Sequence, residues 1–199
     1  MLNEILDLKS GINLIYGEGG SGKTTLALML AKDYSKFSKI IFIDTENGFN
    51  FERFKQISEN YYESCLKNIL LFKVKNFQEQ ISTIKKFLDV KGINLIIIDT
   101  IGVYYRSELK NDFKYANNKM SEMLKILNLL NKKGINILLT NQVYSSFENN
   151  RVESVGGEMV KKLCNCIIRL ERNPRKLIKE KPIVYEDLFE IKDEGICLK

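Results

Sequence analysis

A short glycine-rich segment near the start of the chain restricts its fold more than any other feature. Gly17–Thr24 reads Gly-Glu-Gly-Gly-Ser-Gly-Lys-Thr, which satisfies the phosphate-loop pattern G-x-x-x-x-G-K-[ST]. An apolar run, Ile12–Tyr16, precedes it, and a helix-forming stretch, Leu26–Ala31, follows it. In a strand–loop–helix unit, the backbone N–H groups of the loop and the helix N-terminus surround phosphate oxygens. The pattern therefore predicts an ATP-binding site.

Two side chains in this loop carry most of its chemistry. Lys23 supplies a positive charge to the β- and γ-phosphates, and the Thr24 hydroxyl is an expected ligand of Mg²⁺. The predicted cofactors are therefore ATP and Mg²⁺. The alternative, a glycine-rich turn without a ligand, does not explain the flanking strand and helix. We assign nucleotide contacts to the whole loop: Gly17, Glu18, Gly19, Gly20, Ser21, Gly22, Lys23, Thr24 and Thr25.

Short apolar runs alternate with stretches of helical periodicity along most of the chain. The apolar runs are Ile12–Tyr16, Ile40–Ile43, Ile69–Phe72, Leu95–Ile98 and Asn136–Thr140; the helices between them include Thr24–Tyr34, Phe51–Asn60, Phe77–Val90 and Asn111–Lys132. This order predicts an α/β fold with a mostly parallel central sheet flanked by helices. Short strands beyond Gly157 are expected to extend the sheet in antiparallel fashion. They are Cys166–Leu170, Lys176–Lys179, Ile183–Ile191 and Ile196–Leu198.

Two helices can be described in more detail. The helix before Leu95 opens with Asn76 and Glu79, a plausible capping pair. In the helix Asn111–Lys132, apolar side chains recur at helical spacing and are predicted to face the core. They are Phe113, Ala116, Met120, Met123, Leu127 and Leu130.

Length and composition limit the function classes that the chain can serve. Its 199 residues suit one full-sized core, so we expect a single domain spanning 1–199. No apolar run reaches the roughly 18 residues that a transmembrane helix needs, and the first ten residues do not resemble a signal peptide. These features predict a cytoplasmic protein without a membrane partner. Histidine is absent, which excludes imidazole catalysis and imidazole metal ligands.

The four cysteines lack the paired spacing of a disulfide framework, so we expect free thiols. Cys164 and Cys166 are two residues apart, which predicts buried side chains on one face of a strand. The net charge of +6 suits a polyanionic partner, although charge alone does not identify one.

Three apolar runs end in polar residues that can act on a nucleotide. In open α/β sheets ligands bind at the carboxyl ends of the strands, so these ends are candidate sites. Asp99 is placed to hold the water shell of Mg²⁺, and Glu46 to polarise the water that attacks the γ-phosphate. The amide of Gln142 is placed to bond the γ-phosphate and to move the loop behind it. The alternatives are a turn-forming Asp99, a solvated Glu46 and an ordinary loop glutamine.

Several segments together resemble the core of a known protein family. In order they are GEGGSGKTTLALMLA, FIDTENGF, LIIIDTIGVYYR, LLTNQVYSS and VGGEMVKKLCNCIIRLER. They resemble the RecA/RadA recombinase superfamily, and within it the archaeal RadB type of recombinase paralogue. The resemblance runs from about Ser10 to Arg172. The combination of FIDTE with TNQV is more specific than the phosphate loop.

The resemblance implies a RecA-like ATPase core and a role for each candidate residue. Glu46 would be the catalytic carboxylate, acting with Lys23, and Asp99 the Walker B residue that holds the metal with Thr24. Gln142 would be the nucleotide sensor and a catalytic residue. Arg53 matches an arginine that stacks on adenine, although Asn50 stands where the family has another arginine.

The resemblance also places two DNA-binding loops, at about Val103–Asn111 and Val143–Gly157. Cations for phosphates and rings that can stack on bases occur in both loops. The DNA-binding candidates are Tyr104, Arg106, Lys110, Tyr144 and Arg151, with Tyr105 and Phe147 also suitable. Single-stranded DNA is favoured over duplex. The alternative is that these aromatic rings pack on neighbouring helices.

Departures from the full recombinase pattern point to an accessory role. We expect no N-terminal helix-hairpin-helix domain and no Phe-x-x-Ala linker, and the second loop is short. These departures argue against a long filament, while a homo-oligomer stays compatible. The expected function is a weakly hydrolysing, DNA-binding accessory ATPase of homologous recombination and repair, with a RadA-type recombinase and a Holliday-junction resolvase as candidate partners. The alternatives are a nucleotide-gated protein-binding module with negligible turnover and a KaiC-like signalling ATPase that does not act on DNA.

Overall fold

A mixed sheet forms the centre of the computed structural model, which describes residues 11–145, 152–154 and 157–199. Its strands in chain order are β1 (Ile12–Gly17), β2 (Lys39–Asp44), β3 (Ile69–Lys73), β4 (Ile93–Asp99), β5 (Asn136–Ser145), β6 (Val152–Ser154), β7 (Cys166–Arg172), β8 (Arg175–Lys181), β9 (Tyr185–Lys192) and β10 (Gly195–Leu198). The order across the sheet is β10-β9-β8-β7-β1-β5-β4-β2-β3, with β6 paired to β5. The strands from β7 through β3 run parallel, and β8, β9 and β10 continue antiparallel. The predicted fold class is confirmed.

Helices cover both faces of this sheet. They are α1 (Lys23–Ser35), α2 (Phe51–Ser58), α3 (Tyr62–Leu66), α4 (Phe77–Lys86), α5 (Val103–Leu109), α6 (Phe113–Lys132) and α7 (Gly157–Leu163), with 3₁₀ turns at Glu59–Tyr61 and Phe87–Asp89. Leu26, Phe54 and Cys65 belong to the core on the α1–α3 face. Met120 and Val160 belong to the core on the opposite face, which α4, α6 and α7 cover.

The central strands are apolar on both sides because both faces are covered. In β2, Ile41 and Ile43 face the α4–α6 side, whereas Ile40 and Phe42 face the α1 side. All four are fully buried. Successive side chains of the strand point to opposite faces, and both faces are buried. Every position is therefore apolar, and the sequence shows a continuous apolar run rather than an alternating one.

Side-chain caps fix where two of the helices begin. Asn76 accepts a hydrogen bond from the backbone N–H of Glu79 (2.8 Å), and the Glu79 carboxylate accepts one from the N–H of Lys75 (2.8 Å). The predicted capping pair is confirmed. Asp112 caps α6 in the same way through the N–H of Tyr115 (2.8 Å), so this helix begins at Phe113, two residues later than expected.

The apolar face of α6 is confirmed except at its first residue. Five of the six predicted core residues are fully buried: Ala116, Met120, Met123, Leu127 and Leu130. Phe113 is instead 72% exposed, so its assignment to the core was wrong. The first turn of the helix contributes no residue to the core clusters before Ala116.

Two other details differ from the sequence-based expectation. The strand predicted from Ile183 begins at Tyr185, and Ile183 lies in the exposed turn that follows β8. Cys164 and Cys166 are buried free thiols, as expected, but they belong to opposite core clusters. The reason is that Cys164 lies between α7 and β7 rather than on a strand.

The described residues contain no cluster of three or more His, Cys, Asp or Glu side chains suited to hold a metal ion. Likewise, none of their helices combines the length and the hydrophobicity that crossing a bilayer requires.

The topology brings the predicted site residues to one edge of the sheet. Strand β1 lies between β5 and β7, and the register pairs Gly17 with Gln142. In the same way β2 and β4 place Asp44 beside Asp99. Because these strands are parallel, their carboxyl ends all face the segment that follows β1.

Candidate nucleotide-binding site

The loop between β1 and α1 needs glycine at its start and at its end. A Cβ atom on Gly17 would lie 2.2 Å from the Leu170 carbonyl oxygen, which no side chain tolerates. Gly22 has φ 107°, a left-handed conformation, and forms the N-cap of α1. Its carbonyl accepts the first helical hydrogen bond, from the N–H of Leu26 (2.9 Å). These glycines explain how the loop turns tightly enough to surround a phosphate.

Lys23, the first residue of α1, is 6% exposed and lies against the loop backbone. Its Nζ donates to the carbonyl oxygens of Gly17 (3.0 Å) and Glu18 (2.7 Å). Burial lowers the pKa of Lys23, and the nearby carboxylates of Asp99, Glu46 and Glu18 oppose that shift. A triphosphate in this loop would compete with the two carbonyls for the same ammonium group.

The turn between β7 and β8 supports the tip of the loop. Arg175 donates from Nη1 to the Gly20 carbonyl oxygen (3.2 Å), and the guanidinium of Arg172 lies close to the same glycine. The Ser21 hydroxyl is fully buried and has no hydrogen-bond partner within the described part of the chain. A buried polar atom of this kind in a phosphate loop is consistent with an anionic ligand.

Asp99, at the end of β4, lies beside the first turn of α1. Its Oδ2 accepts a hydrogen bond from the Thr24 hydroxyl (2.8 Å), and its Oδ1 accepts one from the Thr140 hydroxyl. The side chain is 3% exposed. Burial raises the pKa of Asp99, and the two hydroxyl hydrogen bonds oppose the rise. A bound cation would favour the ionised carboxylate in this setting.

The residues around Asp99 fit a magnesium ion. Carboxylate and hydroxyl oxygens are the hard ligands that Mg²⁺ prefers, and Mg²⁺ usually takes only one or two of them from the protein. A Cβ atom on Gly48 would lie 3.5 Å from Asp99 Oδ2 and 3.7 Å from Thr24 Oγ1. The backbone of the turn after β2 therefore borders this pair of ligands without a side chain between them.

A buried carboxylate fixes the turn that carries Glu46. Asp44 is 1% exposed, and its oxygens accept hydrogen bonds from the backbone N–H groups of Glu46 (3.2 Å), Gly48 (2.9 Å) and Phe49 (3.1 Å). The Thr45 hydroxyl joins this turn to the end of β4, because it contacts both the N–H and the carbonyl of Thr100 (2.7 and 3.0 Å).

Glu46 and Gln142 contact each other directly. The Gln142 amide nitrogen Nε2 lies 3.0 and 3.1 Å from the two carboxylate oxygens of Glu46. The Glu46 side chain is exposed, so its carboxylate is accessible to water and to a ligand. The structure thus brings the predicted catalytic carboxylate and the predicted sensor amide into one pair, which we call the Glu46–Gln142 pair.

Arg53 contacts the C-terminal hairpin of β9 and β10. Its guanidinium donates to the backbone carbonyls of Lys192 (2.6 Å) and Asp193 (3.1 Å) and to Gln56 (3.0 Å). These three hydrogen bonds hold the guanidinium in one orientation. Stacking of a base on its face stays a prediction. Asn50 caps α2 through the N–H of Arg53 (2.9 Å).

A family model described as Rad51 matches residues 6–196 of the chain. The chain belongs to the Rad51 family.

Individual Rad51-family proteins agree with this assignment. A DNA repair and recombination protein RadB of Methanococcus maripaludis strain C7 is 38% identical over 192 residues, covering 91% of this chain and 88% of the relative. A RadB of Methanosphaera stadtmanae is 36% identical over 173 residues, covering 83% and 74%. A crystal structure of the RadB recombinase superposes with a TM-score of 0.77 at 28% identity, covering 94% of this chain and 89% of that chain.

The first predicted DNA-binding segment of this Rad51-family chain is a helix, α5, rather than a loop. Tyr104 points inward, and its hydroxyl contacts the carbonyls of Thr45 (3.1 Å) and Val74 (2.5 Å). Tyr105 is 4% exposed and donates to Asn117 (2.9 Å). Both rings therefore match the packing alternative. Arg106 is half-buried and lines a narrow pocket together with Glu46 and Gln142, and Lys110 is exposed at the end of the helix.

The second predicted DNA-binding segment is described only in part. Strand β5 continues through Tyr144 to Ser145 and pairs with β6, and α7 begins at Gly157. The predictions for Arg151, for Phe147 and for the side chain of Tyr144 lie outside the described residues.

Sequence reasoning missed three residues that build the site. Asp44 shares the segment FIDTE with Glu46, but nothing in the residue types showed that one carboxylate turns inward and the other outward. Thr140 is the first residue of the segment TNQV that also contains Gln142, so its position was a usable signal. No sequence pattern indicated the role of Arg175, because its partner Gly20 lies 155 residues away along the chain.

Proposed function

We propose that this chain is an ATP-binding, slowly ATP-hydrolysing protein that binds single-stranded DNA and assists homologous recombination and DNA repair. The observation that carries the proposal is the Glu46–Gln142 pair, which lies at the strand ends beside the phosphate loop in a chain similar to RadB proteins. Glu46 supplies a base for the attacking water, and Gln142 supplies an amide for the γ-phosphate.

The site residues divide the work of hydrolysis among them. Lys23 exchanges its two carbonyl partners for the β- and γ-phosphates, which neutralises charge on the triphosphate. Thr24 and Asp99 hold Mg²⁺, whose charge stabilises the phosphate oxygens when the ion is bound. Glu46 then accepts a proton from the water that attacks the γ-phosphate. Asp44 keeps the Glu46 turn in place throughout, because it bonds three backbone N–H groups of that turn.

Slow turnover follows from the Glu46–Gln142 pair. Both carboxylate oxygens of Glu46 contact the amide of Gln142, so the proposed base and the proposed sensor are bound to each other. Glu46 acts on water only after Gln142 has moved to the γ-phosphate. Each catalytic cycle therefore includes a movement of the Gln142 side chain, which β5 carries.

DNA binding is assigned to the surface formed by α5 and the start of α6. Arg106, Lys110, Lys114 and the exposed ring of Phe113 define this α5–α6 surface. Cations that follow the phosphates and a ring that stacks on a base are what single-strand binding requires. The net charge of +6 supports the same assignment.

The role in recombination and repair rests on the relatives. The similar proteins are named DNA repair and recombination protein RadB, and one solved structure is described as a recombinase. We propose a RadA-type recombinase and a Holliday-junction resolvase as protein partners. Self-association into a small oligomer is compatible with this role.

A second candidate function is a nucleotide-gated protein-binding module with negligible turnover. The Glu46–Gln142 pair favours it as well, because a carboxylate that never leaves its amide partner does not activate water. A KaiC-like signalling ATPase would use the same site but would show no dependence on DNA. Hydrolysis and its response to DNA distinguish the three functions.

The deciding experiment measures ATP hydrolysis by the wild type and by Glu46→Gln, with and without oligo-dT, at several salt concentrations. We expect slow hydrolysis that DNA stimulates, and a loss of about 100-fold or more in Glu46→Gln, since a positioned base contributes about 10²–10⁴-fold. ATP binding should survive in this variant. Glu63→Gln, a change to an exposed carboxylate on α3, serves as the control and should hydrolyse ATP like the wild type.

The other outcomes identify the other functions. ATP and DNA binding with no hydrolysis in the wild type would support the gated module. If the wild type hydrolyses ATP but DNA does not stimulate hydrolysis and the protein does not bind DNA at low salt, the result would support the signalling ATPase and overturn the proposal.

A further inference from the structure

The hydroxyl of Tyr104 joins α5 to the turn that carries Glu46. The Tyr104 side chain is half-buried, and its hydroxyl lies 3.1 Å from the carbonyl oxygen of Thr45 and 2.5 Å from that of Val74. Thr45 directly precedes Glu46, and Val74 follows the last residue of β3. A hydroxyl group has a single proton, so Tyr104 makes one full hydrogen bond at a time. The shorter contact is the one to Val74.

Tyr104 acts as a hydrogen-bond donor at physiological pH. Burial raises the pKa of Tyr104 above its ordinary value. The nearby carboxylates of Glu79, Asp44 and Glu46 add to this rise. Both acceptors of the proton are attached to the same turn, because the N–H of Val74 donates to the Asp44 carbonyl oxygen (3.3 Å). The hydroxyl therefore stands between two carbonyls that border the Glu46 turn.

Thr45 is bonded to the end of β4 and the start of α5 through each of its polar groups. Its N–H donates to the carbonyl oxygen of Asp99 (2.9 Å). Its hydroxyl contacts the N–H and the carbonyl of Thr100 (2.7 and 3.0 Å), and its own carbonyl contacts Tyr104. The residue before the proposed base is thus held by the segment that leads into α5.

The same helix belongs to the proposed DNA-binding surface. Arg106, which the proposed function assigns to a DNA phosphate, lies two residues after Tyr104 and lines a narrow pocket together with Glu46 and Gln142. Helix α5 has seven residues, and a short helix moves as one rigid piece. A displacement of Arg106 by DNA therefore displaces Tyr104 and its hydroxyl as well.

We propose that Tyr104 is a positioning residue through which DNA on the α5–α6 surface acts on Glu46. When DNA displaces α5, the hydroxyl exchanges Val74 for Thr45 as its acceptor. The Glu46 turn then follows the helix, and the Glu46 carboxylate leaves the Gln142 amide. Tyr104 contacts neither ATP nor DNA in this role. The inference rests on the proposed function, because it requires a chain that hydrolyses ATP and binds DNA on α5.

The test measures ATP hydrolysis over a range of ATP concentrations, with and without saturating oligo-dT. The ratio of the two kcat values is the stimulation factor. In Tyr104→Phe this factor should fall toward one, by roughly two- to tenfold, which is the effect of one hydrogen bond on a rate. The KM for ATP, the DNA-free kcat and the dissociation constant of oligo-dT should stay within about twofold of the wild type, because the lost hydroxyl touches neither ligand.

Tyr105→Phe is the matched control. It makes the same change at the next residue of the same helix, where the hydroxyl donates to Asn117 of α6 (2.9 Å). This variant should keep the stimulation factor of the wild type. A general loosening of α5 would instead lower the factor in both variants.

A second variant separates the role of the donor from that of folding. Tyr104→4-aminophenylalanine places an N–H donor where tyrosine has its hydroxyl, and the ring keeps its packing against the core. It should restore most of the stimulation that Tyr104→Phe loses. A variant that folds and binds ATP but restores none would show that the hydrogen bond is not the connection.

The outcomes distinguish this inference from the function on which it rests. Full stimulation in Tyr104→Phe, or an equal loss in Tyr105→Phe, would overturn the inference and leave the function standing. A wild type that hydrolyses ATP and binds oligo-dT without stimulation would do the same. A wild type that hydrolyses no ATP, or that binds no DNA under any condition, would overturn both.

Discussion

At the scale of single residues, Asp99 shows how the site balances folding against function. It is a carboxylate at 3% exposure that accepts hydrogen bonds from two threonine hydroxyls, those of Thr24 and Thr140. The raised pKa means that the ionised form is less stable in the folded protein than in the unfolded chain. As the pH rises, the Asp99 carboxyl therefore loses its proton at a lower pH in the unfolded chain than in the folded protein. The free energy of unfolding falls as the pH rises from about 4 through the raised pKa.

Asp99→Asn is accordingly expected to stabilise the protein when no nucleotide is added. The variant keeps the shape of the side chain and removes the buried charge. At pH 8 we expect the variant to have a higher Tm than the wild type. In a domain of this size, a stabilisation of ~1 kcal/mol raises the Tm by roughly 2–4 °C. The difference should shrink as the pH falls toward 4. Added Mg²⁺ and ATP should raise the Tm of the wild type but not that of the variant.

Thermal denaturation across a pH series checks this prediction. Asp89→Asn changes an exposed carboxylate and should leave the Tm nearly unchanged at every pH. A lower Tm for Asp99→Asn at pH 8 would mean that the two threonine hydrogen bonds outweigh the cost of burying the charge.

The residue types at the strand ends were enough to predict which side chains lie together at this edge of the sheet. Lys23, Asp99, Glu46 and Gln142 meet because parallel strands present their carboxyl ends to one edge, and this rule needs only the strand assignments. The role of Asp44 needed the structure, because the direction of each carboxylate depends on the turn between them. The inward direction of Tyr104 also depends on carbonyl partners in two other segments.

At the scale of elements, the error at Phe113 has a physical cause. Periodicity identifies which side of a helix is apolar, but it does not tell how far the sheet extends beneath that helix. The first turn of α6 carries no core residue before Ala116, so Phe113 is exposed beside Lys110 and Lys114. The same exposure makes Phe113 a ring on the α5–α6 surface that is accessible to a base, whereas Tyr104 points inward.

Phe113→Ala is therefore expected to weaken binding of single-stranded DNA. One stacked base contributes about 1–3 kcal/mol, so the dissociation constant of oligo-dT should rise roughly fivefold or more. Fluorescence anisotropy at low salt measures the change. Phe37→Ala removes an exposed ring (88%) in the segment after α1 and should have no effect. Equal effects of the two variants would indicate that Phe113 does not stack on DNA.

The C-terminal strands were predicted as an extension of the sheet, and their second role became visible only in three dimensions. The β9–β10 turn holds Arg53, and the β7–β8 turn holds Gly20. Local sequence patterns describe neighbours along the chain, whereas these contacts join residues more than 130 positions apart. Such contacts follow from the final packing of the fold and from no single segment.

At the scale of the whole molecule, the net charge bears on the proposed binding of DNA. The chain has 31 Lys and Arg residues against 25 Asp and Glu residues, which gives a net charge of +6. A modest excess of this size is compatible with binding that depends on a few well-placed cations. They are Arg106, Lys110 and Lys114 of the α5–α6 surface, together with Arg151, which was predicted from the sequence alone.

The salt dependence of DNA binding tests that assignment. Four cations that each meet one phosphate of a single strand predict a slope of about −2.8 in a plot of log affinity against log salt. Affinity for oligo-dT should then fall about 50-fold between 50 and 200 mM salt. Lys110→Ala should reduce the slope by about 0.7. A slope near zero would show that the contact is not made through phosphates.

Under the proposed function, the Glu46–Gln142 pair would also make the protein respond to the energy supply of a cell. ATP would have to separate the pair for Gln142 to reach the γ-phosphate, and part of its binding energy would be used for that separation. ADP has no γ-phosphate and would occupy the loop with the pair intact, so it would compete better than its fewer phosphate contacts suggest. The fraction of molecules with bound ATP would then follow the ratio of ATP to ADP, and a fall in this ratio would reduce that fraction before ATP itself runs short.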